Sequence, residues 1–244
     1  SHLPGGGWPL AAITEVFVDG YGIRELGFLM PALAALTKED PAKPAKWVAW
    51  IAPPFVPYAP ALQQHGLNLD RVLMIHPTSG NKSRLWAIEQ VVRSGSSAGV
   101  LAWIATGGRA TQGAVADAGR EARGRATQGA VADAGREARG RATQGAVAED
   151  VILRRLQLAA EDQGCWVLLF RPASASQQRS PAALRIRLSQ AQAATRVHIF
   201  KCRGGRPAVV DIANLGNCSL RCPAEGIAAG VALDAGGSSA ETSG

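Results

Sequence analysis

A short glycine-containing turn is the part of this sequence that comes closest to known chemistry. It reads Val18-Asp19-Gly20-Tyr21-Gly22-Ile23-Arg24-Glu25 and lies between a predicted strand and a predicted helix. A phosphate-binding loop needs backbone N–H groups facing the phosphates, a lysine for the terminal phosphates and a hydroxyl for Mg²⁺. Here Arg24 stands in place of the lysine and Glu25 in place of the hydroxyl, and a carboxylate at that position repels phosphate. We therefore expect a binding protein without enzyme activity or cofactor. Weak nucleotide binding through Gly20 and Gly22 stays open.

Other catalytic or metal-binding patterns are missing from the sequence. The four histidines are scattered, and the G-x-S-x-G motif of a nucleophile elbow is absent, so hydrolase chemistry is not supported. Of the four cysteines, Cys165 lies in an apolar run and is predicted to be a buried thiol. Cys218 and Cys222 are three residues apart with no histidine nearby, which is a poor match to a zinc site. We expect no metal.

Composition favours a globular protein with a basic surface. The chain has 244 residues, 47% of them hydrophobic, and a formal net charge of +7. This charge suits nucleic acid or an acidic protein partner, and it is equally typical of an arginine-rich surface without a specific partner. No apolar run approaches the length of a membrane span, and no signal peptide is visible, so we expect a cytoplasmic protein that does not bind a membrane.

Alternating strand and helix signals predict an α/β fold. Several strands are continuous apolar runs bounded by helices, which is typical of a mostly parallel sheet with helices on both faces. The last strands form a hairpin across Gly204 and Gly205, so the C-terminal part of the sheet is expected to be partly antiparallel. The predicted strands are 13–18, 47–51, 72–76, 99–104, 165–170, 184–188, 196–201 and 207–212, and the predicted helices are 25–36, 58–65, 84–93 and 150–162.

Two segments are expected to lie outside this core. Residues 108–123 and 124–139 are identical sixteen-residue copies, and residues 140–148 begin a third. Each copy contains three glycines and no large apolar residue, which favours a flexible insertion at 107–148 in a surface loop. Residues 213–244 are rich in glycine, serine and alanine and are predicted to form a disordered tail. The predicted domain is therefore 1–212, interrupted by the repeat.

Four segments of the chain resemble the RecA-like ATPase core. They are residues 5–16, which open with Gly-Gly-Gly-Trp-Pro, residues 66–73, residues 89–104 and residues 195–203. Within that superfamily the chain more closely resembles the SulA/ImuA branch, in residues 47–54, 100–104 and 170–176. Together the resemblances cover residues 4–212 apart from the repeat and imply a RecA-like core.

The branch implies a role in the SOS response to DNA damage. ImuA proteins accompany ImuB and an error-prone polymerase in translesion DNA synthesis, and SulA proteins bind FtsZ and block cell division. The opening residues 5–9 and the ending 201–207 look more like ImuA, so we expect ImuB, the polymerase and RecA as partners. A SulA-like division inhibitor that binds FtsZ is the alternative, and a diverged ATPase is the second. A homodimer and a weak DNA contact also stay open.

Departures from the RecA pattern argue against hydrolysis. The strand at 99–103 is expected to end in an aspartate for Mg²⁺ and has Trp103 instead. The base that activates water is replaced by Pro54, which has no proton to exchange. With Arg24 and Glu25, three catalytic elements are missing, so the resemblance implies a scaffold that binds other molecules.

Candidate binding residues fall into three groups. The first is the stiff apolar loop with Pro54, Phe55 and Tyr58, since loops at the carboxyl ends of parallel strands commonly bind ligands. The second is a basic cluster for a protein partner or DNA, or only a solvated strand end. It comprises Lys201, Arg203 and Arg206. The third lies where RecA carries a DNA-contacting loop, with polar residues suited to phosphates but equally typical of a solvated loop. It comprises Arg171, Ser174, Ser176, Gln178 and Arg179.

The tryptophans are predicted to pack rather than to stack on bases. Trp47, Trp50, Trp86 and Trp103 lie inside predicted strands or helices, where core packing is the ordinary role of an indole ring. Trp8 precedes a proline near the start and is the one expected to be exposed, as an anchor for a partner.

Overall fold

The computed structural model describes residues 3, 6–20, 26–41, 44–78, 80–104, 149–191 and 194–213. The strands are β1 (Ile13–Val18), β2 (Trp47–Ile51), β3 (Val72–Ile75), β4 (Ser97–Trp103), β5 (Trp166–Pro172), β6 (Leu184–Ala191), β7 (Ala194–Cys202) and β8 (Ala208–Ala213). The helices are α1 (Met30–Thr37), α2 (Ala59–Gln64), α3 (Asn81–Arg93) and α4 (149–163).

The described strands form one mixed sheet, in the order β3-β2-β4-β5-β1-β6-β7-β8. The pairings from β3 through β6 are all parallel, whereas β6 with β7 and β7 with β8 are antiparallel. The expected α/β architecture is therefore present, with antiparallel strands only at the C-terminal end. We call the side where the parallel strands end the carboxyl edge and the opposite side the amino edge. The turn between β7 and β8 lies at the amino edge because Cys202 pairs with Leu184, the first residue of β6.

Helices pack on both faces of the sheet, which explains why its central strands are largely apolar. On the first face, α1 and α2 bury Leu33 and Leu62 against residues such as Trp50 and Phe170. On the second face, α3 and α4 pack a separate cluster that includes Ile88, Leu156 and Leu169. Toward β7 and β8 the second face is exposed, and it carries Arg187, Arg196, His198, Val209 and Asp211.

Two helix starts differ from their predicted positions. The first helix begins at Met30 rather than at residue 25, and Pro31 lies in its first turn. Proline is tolerated there because the first N–H groups of a helix have no partner within it, so Pro31 begins the helix instead of kinking it. The third helix begins at Asn81, three residues before the predicted start. The prediction was late because the first turn of the helix is polar and does not contribute to the apolar periodicity.

Three of the five tryptophan predictions were wrong. Trp50 and Trp103 are buried as expected, but Trp86 is 64% exposed on α3, and Trp47 is 38% exposed at the start of β2. Trp8, expected to be exposed, is buried and packs against Phe28 and Trp166 at ring-centroid distances of 5.5 and 5.1 Å. Trp8 is therefore part of the core and not an anchor for a partner.

Several predictions fall outside the described residues. They concern the repeat insertion at 107–148, the tail beyond Ala213 and the turn residues Gly22, Arg24 and Glu25. Of the residues assigned to that turn, Gly20 is described, and it is exposed just after β1.

The buried thiol of Cys165 gives a test of the core. Cys165 is fully buried at the start of β5, and burial raises its pKa to about 12. Because the thiolate is the reactive form, we expect Cys165 to resist alkylation in the native protein. Cys202 is only partly buried, and burial raises its pKa as well. Iodoacetamide labelling followed by peptide mass spectrometry should modify Cys202 at least about tenfold faster than Cys165, and denaturant should remove the difference. Equal native rates would contradict the packing of β5.

Candidate partner-binding surface

The loop after β2 at the carboxyl edge is held in a defined conformation. Ala52 has a positive φ of 53°, which is uncommon for a residue with a side chain, and its N–H donates to the carbonyl of Ile75 over 2.9 Å. Pro53, Pro54 and Pro57 each fix one further φ angle. The loop ends at Tyr58, whose carbonyl accepts from the N–H groups in the first turn of α2. We call residues 53–58 the apolar loop.

The apolar loop presents large side chains to solvent. Phe55 is 62% exposed, Val56 is 88% exposed and Tyr58 is 73% exposed. Pro54 is also exposed and lies directly beside Phe55. Aromatic side chains on a stiff backbone can be buried by a partner with little loss of conformational entropy, because most of their freedom is already restricted.

An aromatic stack occupies the carboxyl end of β4, where the RecA resemblance implies an acid. The Trp103 ring is buried and stacks on Phe170 at a centroid distance of 4.8 Å, and it contacts the ring of Trp50 at 5.9 Å. An aspartate that binds a metal would have to point away from the core at this position, whereas the Trp103 side chain points into the core of the first face. This end of β4 therefore contributes packing and offers no ligand for Mg²⁺.

The basic cluster lies at the opposite edge of the sheet from the apolar loop. Lys201 ends β7 and donates its Nζ to the carbonyl of Ser180 over 2.8 Å. Burial lowers the pKa of Lys201, and the positive charge of Arg185 adds to the effect. Arg203 donates to Glu161 at 2.9 Å, and this bond lowers the pKa of Glu161. Arg206 is exposed in the turn before β8. The predicted partner-binding residues thus form two separate surfaces.

The predicted DNA-contacting residues also separate. Ser174 and Arg179 are exposed, while Ser176 and Gln178 are partly buried. Arg171 was predicted to lie in this loop, but β5 continues to Pro172 and the Arg171 side chain is only 1% exposed. Its guanidinium donates hydrogen bonds to acidic and amide side chains inside the protein and is not accessible to a phosphate. The burial of Arg171 therefore contradicts the predicted DNA contact at this residue.

A carboxylate in the middle of the sheet explains the burial of Arg171. Glu15 on β1 is fully buried, with Arg171 of β5 on one side and Arg185 of β6 on the other. One carboxylate oxygen accepts from Arg171 Nη1, and the other accepts from Arg185 Nε over 2.7 Å. The Arg185 guanidinium also lies over the rings of Phe17 and Phe200, 5.0 and 5.1 Å from their centroids. We call Glu15, Arg171 and Arg185 the buried charge cluster.

The buried charge cluster reaches two further segments. Arg171 Nη2 donates to Glu149 at the start of α4 over 2.7 Å and to the amide oxygen of Gln178 over 2.6 Å. Arg185 Nη2 donates to the carbonyl of Ser176 over 3.1 Å. The cluster therefore holds the 173–178 segment and the first turn of α4 against the sheet.

Sequence reasoning missed this cluster. The alternation of apolar residues and arginines in β6 is typical of a strand with one solvated face, but Arg187 is exposed there whereas Arg185 is only 8% exposed. The signal that could have revealed it is Glu15, an acid inside the otherwise apolar strand Ile13–Val18, since a buried carboxylate requires a cationic partner.

Neither a metal site nor a membrane span emerges from the described residues. Among them, no group of three or more His, Cys, Asp or Glu side chains is placed to hold a metal ion. None of the helices in that part of the chain is long and apolar enough to cross a bilayer.

The fold has counterparts among solved structures. The crystal structure of SulA from Pseudomonas aeruginosa matches at 22% sequence identity and a TM-score of 0.38. The chain is similar to this SulA. The match covers 67% of this chain and 99% of the SulA chain. No protein-family model matches, and no curated protein matches.

Glu15→Gln should strongly destabilise the fold, because it leaves the buried guanidinium of Arg185 without a countercharge and that of Arg171 with Glu149 alone. Removing one partner of a buried ion pair typically costs about 3–5 kcal/mol. We expect a loss of that size in the free energy of unfolding, measured by urea denaturation at neutral pH.

The matched control is Asp19→Asn, at the other end of β1. Asp19 pairs with Arg187 at 3.0 Å, and both side chains are about half exposed. An exposed pair contributes about 0–1 kcal/mol, so this variant should unfold close to the wild type. Equal effects of the two substitutions would show that the buried charge cluster does not hold the sheet together.

Proposed function

We propose that this chain is a non-catalytic accessory protein of the SOS response that binds a partner protein through the apolar loop. The observation that carries the proposal is the exposure of Phe55, Val56 and Tyr58 on a proline-stiffened backbone. Exposed aromatic residues that are pre-ordered in this way are the usual centre of a protein interface. The carboxyl edge of a largely parallel sheet is also the place where α/β proteins commonly bind their ligands.

The absence of catalysis is part of this proposal. Trp103 packs against Phe170 and Trp50 instead of facing a metal, and Pro54 has no proton to exchange. These features support a scaffold that acts by binding. Purified protein with saturating ATP and Mg²⁺ should therefore release no phosphate above background. Turnover that is abolished by substituting Arg24 would instead favour the diverged ATPase.

The resemblance to the SulA/ImuA branch supplies the partners to test. In the ImuA-like role, the protein binds ImuB and the error-prone polymerase in the cytoplasm, and RecA is a further partner. In the SulA-like role, it binds FtsZ and prevents polymerisation. Both roles use a RecA-like scaffold and one exposed docking surface, so a single binding experiment with purified partners separates them.

The experiment measures binding and FtsZ polymerisation side by side. Biolayer interferometry with immobilised protein tests ImuB, the polymerase, RecA and FtsZ in turn, and light scattering follows FtsZ assembly with stoichiometric protein added. Binding to ImuB or the polymerase without an effect on FtsZ supports the ImuA-like role. Inhibition of assembly supports the SulA-like role. Binding to none of the four contradicts the proposal.

Phe55→Ser combined with Tyr58→Ser should weaken binding to the partner found in that experiment by at least about tenfold, because interface aromatics commonly contribute 1–2 kcal/mol or more each. The thermal midpoint should stay close to that of the wild type, since both side chains are exposed. Val209→Ser is the matched control, because Val209 is a 58% exposed apolar residue on β8, far along the sheet from β2. A similar loss of binding in the control would argue against the apolar loop as the contact.

A further inference from the structure

A groove on the second face brings three arginines together, and one of them, Arg179, forms no ion pair with a described residue. It has a volume of about 610 Å³ and lies between the first turns of α4 and the segment that leads into β6. Asp150 and Arg154 line it from α4, Arg179, Ser180 and Pro181 line it from the connecting segment, and Arg185 lines it from β6. Three arginines thus face one aspartate. We call this the arginine groove.

One of these arginines is buried and rigidly held. Arg185 is nine-tenths buried, its Nε and Nη2 are hydrogen-bonded to Glu15 and Ser176, and its guanidinium lies over two adjacent phenylalanine rings. Within the described part of the chain, its Nη1 has no hydrogen-bond partner, and the side chain lines the groove. A guanidinium with a free donor in a fixed position is well suited to bind an oxyanion, because little side-chain entropy remains to be lost.

The other cations of the groove add to this donor. Arg179 is exposed, and no described residue forms an ion pair with it. Arg154 pairs with Asp150 at 3.0 Å but remains 69% exposed, so it can turn toward a second anion. Lys201 lies beside this groove through its bond to the Ser180 carbonyl, and burial, followed by the positive charge of Arg185, lowers its pKa.

Acidic side chains neutralise the other cations on this side of the protein, and this arrangement restricts which anions can bind in the groove. Arg187 pairs with Asp19, Arg196 with Asp211 and Arg203 with Glu161, at 2.7 to 3.0 Å. The surrounding surface therefore alternates in sign. A nucleic-acid backbone carries a regular series of negative charges and needs a continuous basic track, which this surface does not provide.

We propose that the arginine groove binds an acidic peptide segment of a partner protein, with one or two adjacent carboxylates contacting Arg185 Nη1 and Arg179. An isolated pair of carboxylates matches the size and charge of the groove and avoids the acids around it. Ser180 and Pro181 provide a small, uncharged wall for the peptide backbone. This proposal depends neither on the apolar loop nor on the identity of the partner that the loop binds.

The test uses a fluorescein-labelled Gly/Ser-rich peptide with two central glutamates, a matched peptide with two glutamines, and labelled oligo(dT). Fluorescence anisotropy at low salt compares wild type with Arg179→Glu, which changes an exposed side chain and should leave folding intact. Lys38→Glu, the same reversal of charge at an exposed position just after α1 and outside every candidate surface, is the matched control. Circular dichroism melting confirms that both variants fold.

We expect the glutamate peptide to bind at least about tenfold more tightly than the glutamine peptide, and Arg179→Glu to remove that difference. Lys38→Glu should change the affinity by no more than about twofold. The proposal is overturned if the two peptides bind equally, or if both variants weaken binding to the same extent, which would indicate a diffuse charge effect. It is overturned in favour of nucleic acid if oligo(dT) binds more tightly than the glutamate peptide and loses its binding in Arg179→Glu.

Discussion

The ion pairs of Glu15 with Arg171 and Arg185 are the constraint on which the arrangement of the sheet depends. They connect β5, β1 and β6 at their centre and extend to Glu149 and Gln178 on the segments above. A buried ion pair is weak evidence for net stability, because desolvation offsets most of the attraction. Its effect on specificity is larger. A slip of one residue in β1 would move Glu15 from the second face to the first, among Trp166 and Phe170, where the apolar cluster offers no cation. The cluster thus excludes the neighbouring registers.

The same cluster determines which surfaces remain for binding. It withdraws Arg171 from solvent completely and leaves Arg185 with a single free nitrogen. Exposed acids neutralise Arg187, Arg196 and Arg203, so the net charge of +7 does not produce one broad basic face on the described surface. What remains are two surfaces of different chemistry. The apolar loop lies at the carboxyl edge, and the arginine groove lies against α4 on the second face. A protein with these two surfaces can combine apolar contact with charge complementarity, which contribute to affinity and to specificity in different ways.

The sequence predicts the parts of this fold that depend on local patterns. It does not predict the position of a side chain whose interaction partner is distant in the sequence. The central strands were predicted correctly because both of their faces are covered, which makes them continuous apolar runs. The apolar loop could be foreseen from its prolines and aromatics, and its residues are exposed. Arg171 could not be placed, since its partner Glu15 is 156 residues away in the sequence and a local pattern treats an arginine as solvated. The prediction for Trp86 was wrong for the opposite reason. An indole ring in a helix suggests burial, but this position on α3 faces outward.

Under the proposed function, aromatic packing at the carboxyl edge takes the place of a nucleotide and metal site. Such a site must keep charged groups at the strand ends, and these groups need either a ligand or water to satisfy them. Here Trp103 stacks on Phe170 and contacts Trp50, so aromatic rings occupy the end of β4. The packing has a cost, because the indole nitrogens of Trp50 and Trp103 are buried without a hydrogen-bond partner among the described residues. In the loop after β2, three prolines restrict the backbone that holds Phe55 and Tyr58 in solvent, and this restriction lowers the entropic cost of association.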